Sequence, residues 1–237
     1  MTDPLYLKDS YLKECDAEVV SVNGKEVVLD RTIFYPRGGG QPGDSGKLVS
    51  ASGVGFRVLN TLKKDGNLVH ELDSVPSFIP GEVVRCVLDW ERRYKLMRMH
   101  TGAHVLAGTM CSELGVLITG NQLDVDKTRF DFNLEEFDRA KLDSAVSKAN
   151  EVLSRPGELK IYTLPREEAM KIPGVVKLAG ALPPSINELR IVEIPGVDIQ
   201  ADGGTHVRNL SEVGKISILK LENKGKENRR IYFTLMP

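Results

Sequence analysis

Hydrophobic and polar positions along the chain change period near Asp89. Before it, apolar residues alternate or run in short β-branched blocks between turn residues; after it they recur at helical spacing. Ala17 to Val22 and Glu26 to Asp30 are strand-like, and the Asn23-Gly24 dipeptide between them is a strong hairpin signal. Phe56 to Leu62, Asn67 to Leu72 and Glu82 to Asp89 follow at strand spacing. Several short strands with little helix predict a small barrel. Beyond Asp89, the recurrence of Trp90, Leu96, Met97, His100, His104, Leu106, Ala107, Met110, Cys111 and Leu114 predicts one long helix of about 23 residues. Gly115 supplies its stop.

After that helix, Val116 to Phe132 contains Thr119-Gly-Asn-Gln122 and the alternating strand Arg129-Phe-Asp-Phe132. Leu134 to Leu153 reads as an amphipathic helix closed by Arg155-Pro156-Gly157. Glu158 to Leu164 is a strand, and Pro165 opens a short helix over Arg166 to Lys171. Pro173 to Pro184, rich in Gly, Pro and Ala, reads as a mobile loop. Strands are expected over Arg190 to Ile194, Lys215 to Leu221 and Ile231 to Leu235. The expected fold is therefore α+β: a small N-terminal β-barrel over residues 1–90, then, over 91–237, an α+β domain whose long helix lies against an antiparallel sheet.

Composition narrows the classes. A chain of 237 residues, 41% hydrophobic, can bury one large core or two modest ones, and two domains are expected. The formal net charge is -1, so nucleic-acid contact has to come from local patches. Cys15, Cys86 and Cys111 are odd in number and widely spread, which argues against a disulfide framework and suits a reducing cytoplasm. No apolar run approaches the ~18 residues of a membrane span, so no membrane partner is expected.

The candidate chemistry lies in two pairs. His100 and His104 stand four apart on the long helix, which stacks both imidazoles on one face. Asp202 and His206 repeat the spacing inside Ala-Asp-Gly-Gly-Thr-His-Val, on a turn between strands whose glycines let it fold over the helix. A single histidine on an apolar face is usually a packed core residue. Three of the chain's four histidines in such pairs point instead to a shared metal site, and neutral imidazole is a common zinc ligand. Cys111 shares the helix face but lies roughly 10 Å along the axis from His104, far beyond a zinc–sulfur bond of about 2.3 Å. A zinc-protease helix is disfavoured because Thr101 stands where its general-base Glu would be.

Three further stretches carry candidate binding residues. Phe34 to Gly46 contains Gly38, Gly39, Gly40 and Gln41; the glycines permit a tight backbone path or close approach of a ligand, or form an ordinary surface loop. No Gly-Lys-Ser/Thr ending follows, so this is not a phosphate loop. Arg92, Arg93, Lys95 and Arg98 open the long helix against Glu91, as a solvated face or as a means of positioning a polyanion. Lys215 to Pro237 holds six Lys/Arg against two Glu, and Lys224, Lys226, Arg229 and Arg230 form a second candidate phosphate patch.

Four motifs in order carry a resemblance: Thr32-Ile-Phe-Tyr-Pro-Arg-Gly-Gly-Gly-Gln-Pro-Gly-Asp44, His100-Thr-Gly-Ala-His104, Arg129-Phe-Asp-Phe132 and Gly203-Gly-Thr-His-Val207. From about Asp9 to the end, the chain resembles the editing half of alanyl-tRNA synthetase and its free-standing relatives, the AlaX proteins of medium length. The resemblance implies hydrolysis of the ester joining serine, or glycine as a second candidate, to alanine tRNA. It implies Zn2+ held by the two helix histidines and by a Cys and a His after them; Asp202 stands at the position of that Cys. A carboxylate can ligate zinc at about 2.0–2.2 Å or hold a histidine from outside the ligand shell. The ion can lower the pKa of a bound water toward ~7 or anchor the substrate's amino group. Thr119, with Asn121 and Gln122 nearby, is the candidate contact for the serine hydroxyl, the alternative being that the three are strand-end turn residues, and Gly38 to Gln41 are expected near the tRNA acceptor end. The implied partner is tRNA, not DNA. The competing expectations are a non-catalytic tRNA-binding module with a degenerate metal site and a threonyl-type tRNA editing domain.

Overall fold

A computed structural model describes residues 2–136, 138–175 and 186–236. Residues 176–184 of the loop expected over Pro173 to Pro184 lie outside the described residues. The chain divides into two compact units, Met1–Leu96 and Met97–Pro237.

The first unit opens with strand β1 (Asp3–Pro4) and helix α1 (Leu5–Lys8), then β2 (Glu14–Asn23), β3 (Glu26–Leu29), β4 (Arg31–Thr32), β5 (Gly46–Ser50), β6 (Gly55–Lys64), β7 (Asn67–Leu72) and β8 (Val83–Leu88). Six of these close a barrel in the order β2-β3-β7-β6-β5-β8. The Asn23-Gly24 hairpin forms as expected: Asn23 pairs with Glu26, and Gly24 takes a positive φ of 57°. Alternation puts Val19, Val27, Leu29, Leu48, Val58, Leu72, Val84 and Cys86 in one core. Closure removes the exposed edges that such short strands would otherwise present. β5 was not anticipated, because it starts at a glycine. Gly46 lies so close to β8 that a Cβ would sit 2.2 Å from the Val87 carbonyl oxygen. All three cysteines are free, although Cys15 and Cys86 are register partners across β2 and β8.

The fourth histidine is a packed core residue. His70 is buried, its Nδ1–H donates to the Val27 carbonyl at 3.0 Å, and its Nε2 accepts from the Thr32 hydroxyl at 2.8 Å. Burial pushes its pKa down from 6.5 to about 4. Its neutral form thus contributes stability fully above pH 6.5, and that contribution is lost as pH falls through 6.5 toward 4. The loss amounts to about 3 kcal/mol. The gap in unfolding free energy between wild type and His70→Gln should shrink by that much between pH 7 and pH 4 in urea titrations; a pH-independent gap would contradict the buried neutral ring.

The long helix α2 spans Trp90–Leu114, 25 residues. Asp89 caps it, accepting from Arg92 N at 3.2 Å, and Gly115 ends it with φ 64°. In the second unit an antiparallel sheet has the order β14-β15-β10-β9, built from β9 (Ile118–Gln122), β10 (Thr128–Phe132), β14 (Lys215–Asn223) and β15 (Arg229–Met236). A second antiparallel sheet combines β11 (Lys160–Pro165), β12 (Glu188–Ile194) and β13 (Asp198–Ala201). Helix α3 (Arg139–Leu153) starts later than the pattern suggests, because Asp138 caps it by accepting from Lys141 N at 3.1 Å. The short helix α4 (Arg166–Ala169) follows β11 as expected.

Two glycines let neighbouring elements pack closely on α2. A Cβ on Gly102 would lie 3.1 Å from both Leu235 and Val213, and one on Gly108 would lie 2.6 Å from the Val197 carbonyl oxygen. At Gly102 the helix backbone therefore receives the side chains of Leu235 and Val213, and at Gly108 it meets the backbone just ahead of β13.

Candidate metal centre

Helix α2 presents His100 and His104 one turn apart, and the turn after β13 brings Asp202 and His206 onto them. Gly204 makes that approach possible: a Cβ there would lie 2.2 Å from His100 Cε1. The Gly204 N–H donates to Asp202 Oδ1, which fixes the carboxylate's direction. Asp202 is also anchored through its backbone, since Arg190 Nη1 donates to its carbonyl at 2.8 Å.

All three imidazoles turn Nε2 toward the carboxylate. His100 Nε2 lies 3.6 Å and His104 Nε2 3.7 Å from Asp202 Oδ2, and His206 Nε2 lies 3.3 Å from Oδ1. A tetrahedral ion with bonds of about 2.0–2.1 Å holds its ligand atoms roughly 3.4 Å apart; His100 and His104 stand near that distance from Oδ2, and His206 from Oδ1. One ligand atom from each of the four residues falls within 4.8 Å of every other, and the group can hold a metal ion. The His100 and His206 rings stack at 4.3 Å, while His104 meets each edge-on at 5.0 and 4.9 Å.

The electrostatics suit a cation. Burial pushes His100 well below its ordinary pKa and His206 down to about 4, which keeps both in the neutral, ligating form. Burial alone would raise Asp202, but the neighbouring imidazoles, His100 foremost, hold it well below the usual carboxylate range. Burial also lowers His104, yet the carboxylates of Asp198 and Asp202 carry it up to about 9. His104 therefore has to release a proton when a cation binds. The Asp202 side chain, 18% exposed, is the most open of the four.

Two residues that the pattern did not single out lie behind the ligands. Asp198 Oδ2 accepts from His104 Nδ1 at 2.8 Å, and Thr101 Oγ1 lies 3.2 Å from His206 Nδ1. For Asp198 the available signal was its alternation with Gln200, which places two polar side chains on one face of β13.

The other candidates are scattered. Thr119 is exposed on β9, and Asn121 and Gln122 follow, paired with Phe130 and Arg129 of β10. In the first unit Gly38 and Gln41 close a turn with reciprocal backbone hydrogen bonds of 3.1 and 2.9 Å; Gly39 and Gly40 have φ of 57° and 87°. Gln41 is buried, so its side chain is withdrawn from a docking tRNA. Arg93, expected in a solvated or polyanion-positioning run, lies in the interior instead. It is fully buried, with Nε on Asp44 at 2.9 Å, Nη1 on the Ser10 carbonyl at 2.9 Å and Nη2 on the Ile33 carbonyl at 2.6 Å. Arg229 is likewise buried, donating to Asn223 Oδ1 at 2.8 Å within its own hairpin. Arg98 donates to the Val213 carbonyl at 2.8 Å, Lys95 pairs with Glu91 at 2.9 Å, and Arg230 forms a fork on Asp131 at 2.6 and 3.0 Å. Arg92 is half-buried; Lys224 and Lys226 are exposed, with Lys224 2.9 Å from Glu222.

Comparison with known proteins follows the same division. Residues 189–232 match the family described as threonyl and alanyl tRNA synthetase second additional domain, and residues 7–92 match the class II (A) tRNA synthetases. Fold and site thus define a protein of the tRNA synthetase lineage with a three-imidazole, one-carboxylate cluster. The alanyl-tRNA editing protein AlaX-M of Saccharolobus solfataricus is 48% identical over the whole of both chains. AlaX-L of Pyrococcus horikoshii is 37% identical over 99% of this chain and 58% of its own length. The alanine–tRNA ligase of Ignicoccus hospitalis is 39% identical over 92% of this chain and 24% of the ligase. The chain belongs to the AlaX family of alanyl-tRNA editing proteins.

Proposed function

We propose that this protein is a trans-editing aminoacyl-tRNA deacylase of the cytoplasm that uses Zn2+ to hydrolyse Ser-tRNA(Ala), and Gly-tRNA(Ala) as a second substrate. The observation that carries the reading is the convergence of His100, His104 and His206 Nε2 on the Asp202 carboxylate at 3.3–3.7 Å. Full-length likeness to proteins named for alanyl-tRNA editing supports the substrate class. No helix of the described residues is long and apolar enough to cross a membrane.

An aminoacyl ester is already activated, so the site has to supply a nucleophile, stabilise a tetrahedral oxyanion and hold the tRNA 3′ end. Bound zinc supplies Lewis acidity, which serves either water activation or anchoring of the substrate's amino group. The chain's own residues fix the ion: the helix sets two imidazoles in register, and the Gly204 turn closes the other two ligands over them. Phosphate contacts fall to Arg92 and Lys226, with Lys95, Arg98, Lys224 and Arg230 available at the expense of the pairs they now make. Gly38 is the one member of the glycine triplet at which alanine tests ligand approach, because Gly39 and Gly40 need positive φ for the turn itself.

Alanine is smaller than serine, so size cannot spare the correct product. A hydroxyl-recognising contact can, by up to ~10⁴-fold, because its polar group is left unpaired by alanine. Thr119 is assigned that contact. The test runs Ser-tRNA(Ala), Ala-tRNA(Ala) and Ser-tRNA(Thr) side by side with zinc-loaded protein. Rapid deacylation of the first alone is expected, and Thr119→Val should narrow the Ser/Ala ratio at least about tenfold. Retained, salt-sensitive tRNA binding without turnover would make the protein a binding module, and preference for Ser-tRNA(Thr) would make it a threonyl-type editor.

A further inference from the structure

We propose that Asp198 is a positioning residue of the metal centre: by accepting the His104 Nδ1–H, it commits His104 Nε2 to the ion. The inference rests on the metal-site reading above and concerns a residue outside the ligand set. His104 can bind a cation through either ring nitrogen, and the choice follows from what the other nitrogen does. Here Asp198 Oδ2 stands 2.8 Å from Nδ1, with its side chain closed to solvent. Nε2 is left facing Asp202 Oδ2 at 3.7 Å.

Asp198 is itself held from two sides. Gln200 Nε2 donates to the same Oδ2 at 2.9 Å, from two residues along β13. Gly108, one turn beyond His104, lets the strand come in: a Cβ there would lie 2.6 Å from the Val197 carbonyl oxygen and 3.2 Å from Asp198 Cβ. Helix, strand and carboxylate therefore meet at a fixed distance, and the His104 ring has a single hydrogen-bonded orientation within them. Asp198 also places a second buried carboxylate beside the cluster, where its charge raises the basicity of the ligating imidazole.

The test measures metal binding by the full-length protein. Zn2+ affinity is read by competition with a chromogenic chelator, and ligand geometry by the visible absorption bands of the Co2+-loaded protein. Asp198→Asn keeps shape and acceptor oxygen but removes the charge; Asp198→Ala removes both. Zn2+ affinity should fall about 10–100-fold in Asp198→Asn, and further in Asp198→Ala. At saturating Co2+ the bands of both variants should shift, because the His104 ring is free to turn. Gln200→Ala should move both readouts in the same direction by less. Wild-type affinity and an unchanged Co2+ spectrum in Asp198→Asn would overturn the proposal, as would a loss of urea stability with metal binding intact. If the wild type binds neither ion, both the metal-site reading and this inference fall; if the wild type binds and Asp198→Asn matches it, only this inference does. Should Asp198→Ala not fold, Asp198→Asn decides alone.

Discussion

With zinc in the proposed site, Asp202→Ala should leave the protein folded but cost it the ion and deacylase activity, whereas Asp202→Cys should keep both. Asp202 occupies the turn position where the resemblance expects a thiolate, and the two roles open to its carboxylate differ in cost. Losing a hydrogen-bond partner outside the ligand shell weakens metal binding by about 10–100-fold. Losing one of four ligands costs more, because the ion must fill the vacancy with water and the anionic charge beside it is gone. The geometry favours the ligand role. Asp202 oxygens lie 3.3–3.7 Å from all three Nε2 atoms, whereas an outer carboxylate would be expected behind a ring, against Nδ1, where Asp198 stands. The measurement is zinc affinity of wild type, Asp202→Ala and Asp202→Cys, with Ser-tRNA(Ala) turnover alongside. A loss in Asp202→Ala far beyond 100-fold, with recovery in Asp202→Cys, is expected; a loss within the outer-partner range would return Asp202 to a supporting role and leave three imidazoles as the protein's ligands.

What the sequence disclosed and what it concealed follow one physical rule. Periodicities report which face a residue occupies, and they predicted the barrel strands, α2 and the shared helix face of His100 and His104. They say nothing of what comes to lie opposite that face. Asp198 looks like any acidic residue on a short strand until Gly108 brings β13 against the helix beside His104. The positive balance of residues 215–237 looked like a phosphate patch because its counter-charges are distant in sequence or shared. Arg230 pairs across the sheet with Asp131, 99 residues earlier, and Glu222 sits 2.6 Å from Lys220 and 2.9 Å from Lys224. Arg93 is the sharper case, since its position did carry a warning. Arg93, Met97, His100 and His104 fall on one helical stripe at i, i+4, i+7 and i+11, so the arginine stands on the buried face. Its charge drew it into the exposed basic run; its spacing placed it in the core.

Arg93→Met should accordingly destabilise the barrel unit by about 3–5 kcal/mol, the cost of leaving a buried charge without its partner. Arg93 and Asp44 are 0% and 1% exposed, so neither charge is solvated. Asp44 Oδ2 accepts from the guanidinium and from Tyr35 N at 2.6 Å, and Asp44 Oδ1 has no donor among the described residues. Removing the guanidinium thus strands a carboxylate at the base of the glycine-rich loop, and also leaves the Ser10 and Ile33 carbonyls without their donor. Asp44→Asn retains the acceptor for Tyr35 N but is neutral, so the double variant Arg93→Met/Asp44→Asn should be more stable than Arg93→Met alone, a sign that simple loss of packing volume cannot produce. Urea unfolding followed by the single Trp, Trp90, which packs against the barrel core, reads both effects. A midpoint unchanged by Arg93→Met, together with weaker and less salt-dependent tRNA binding, would instead place this guanidinium on phosphate, where the charge pattern alone first suggested it.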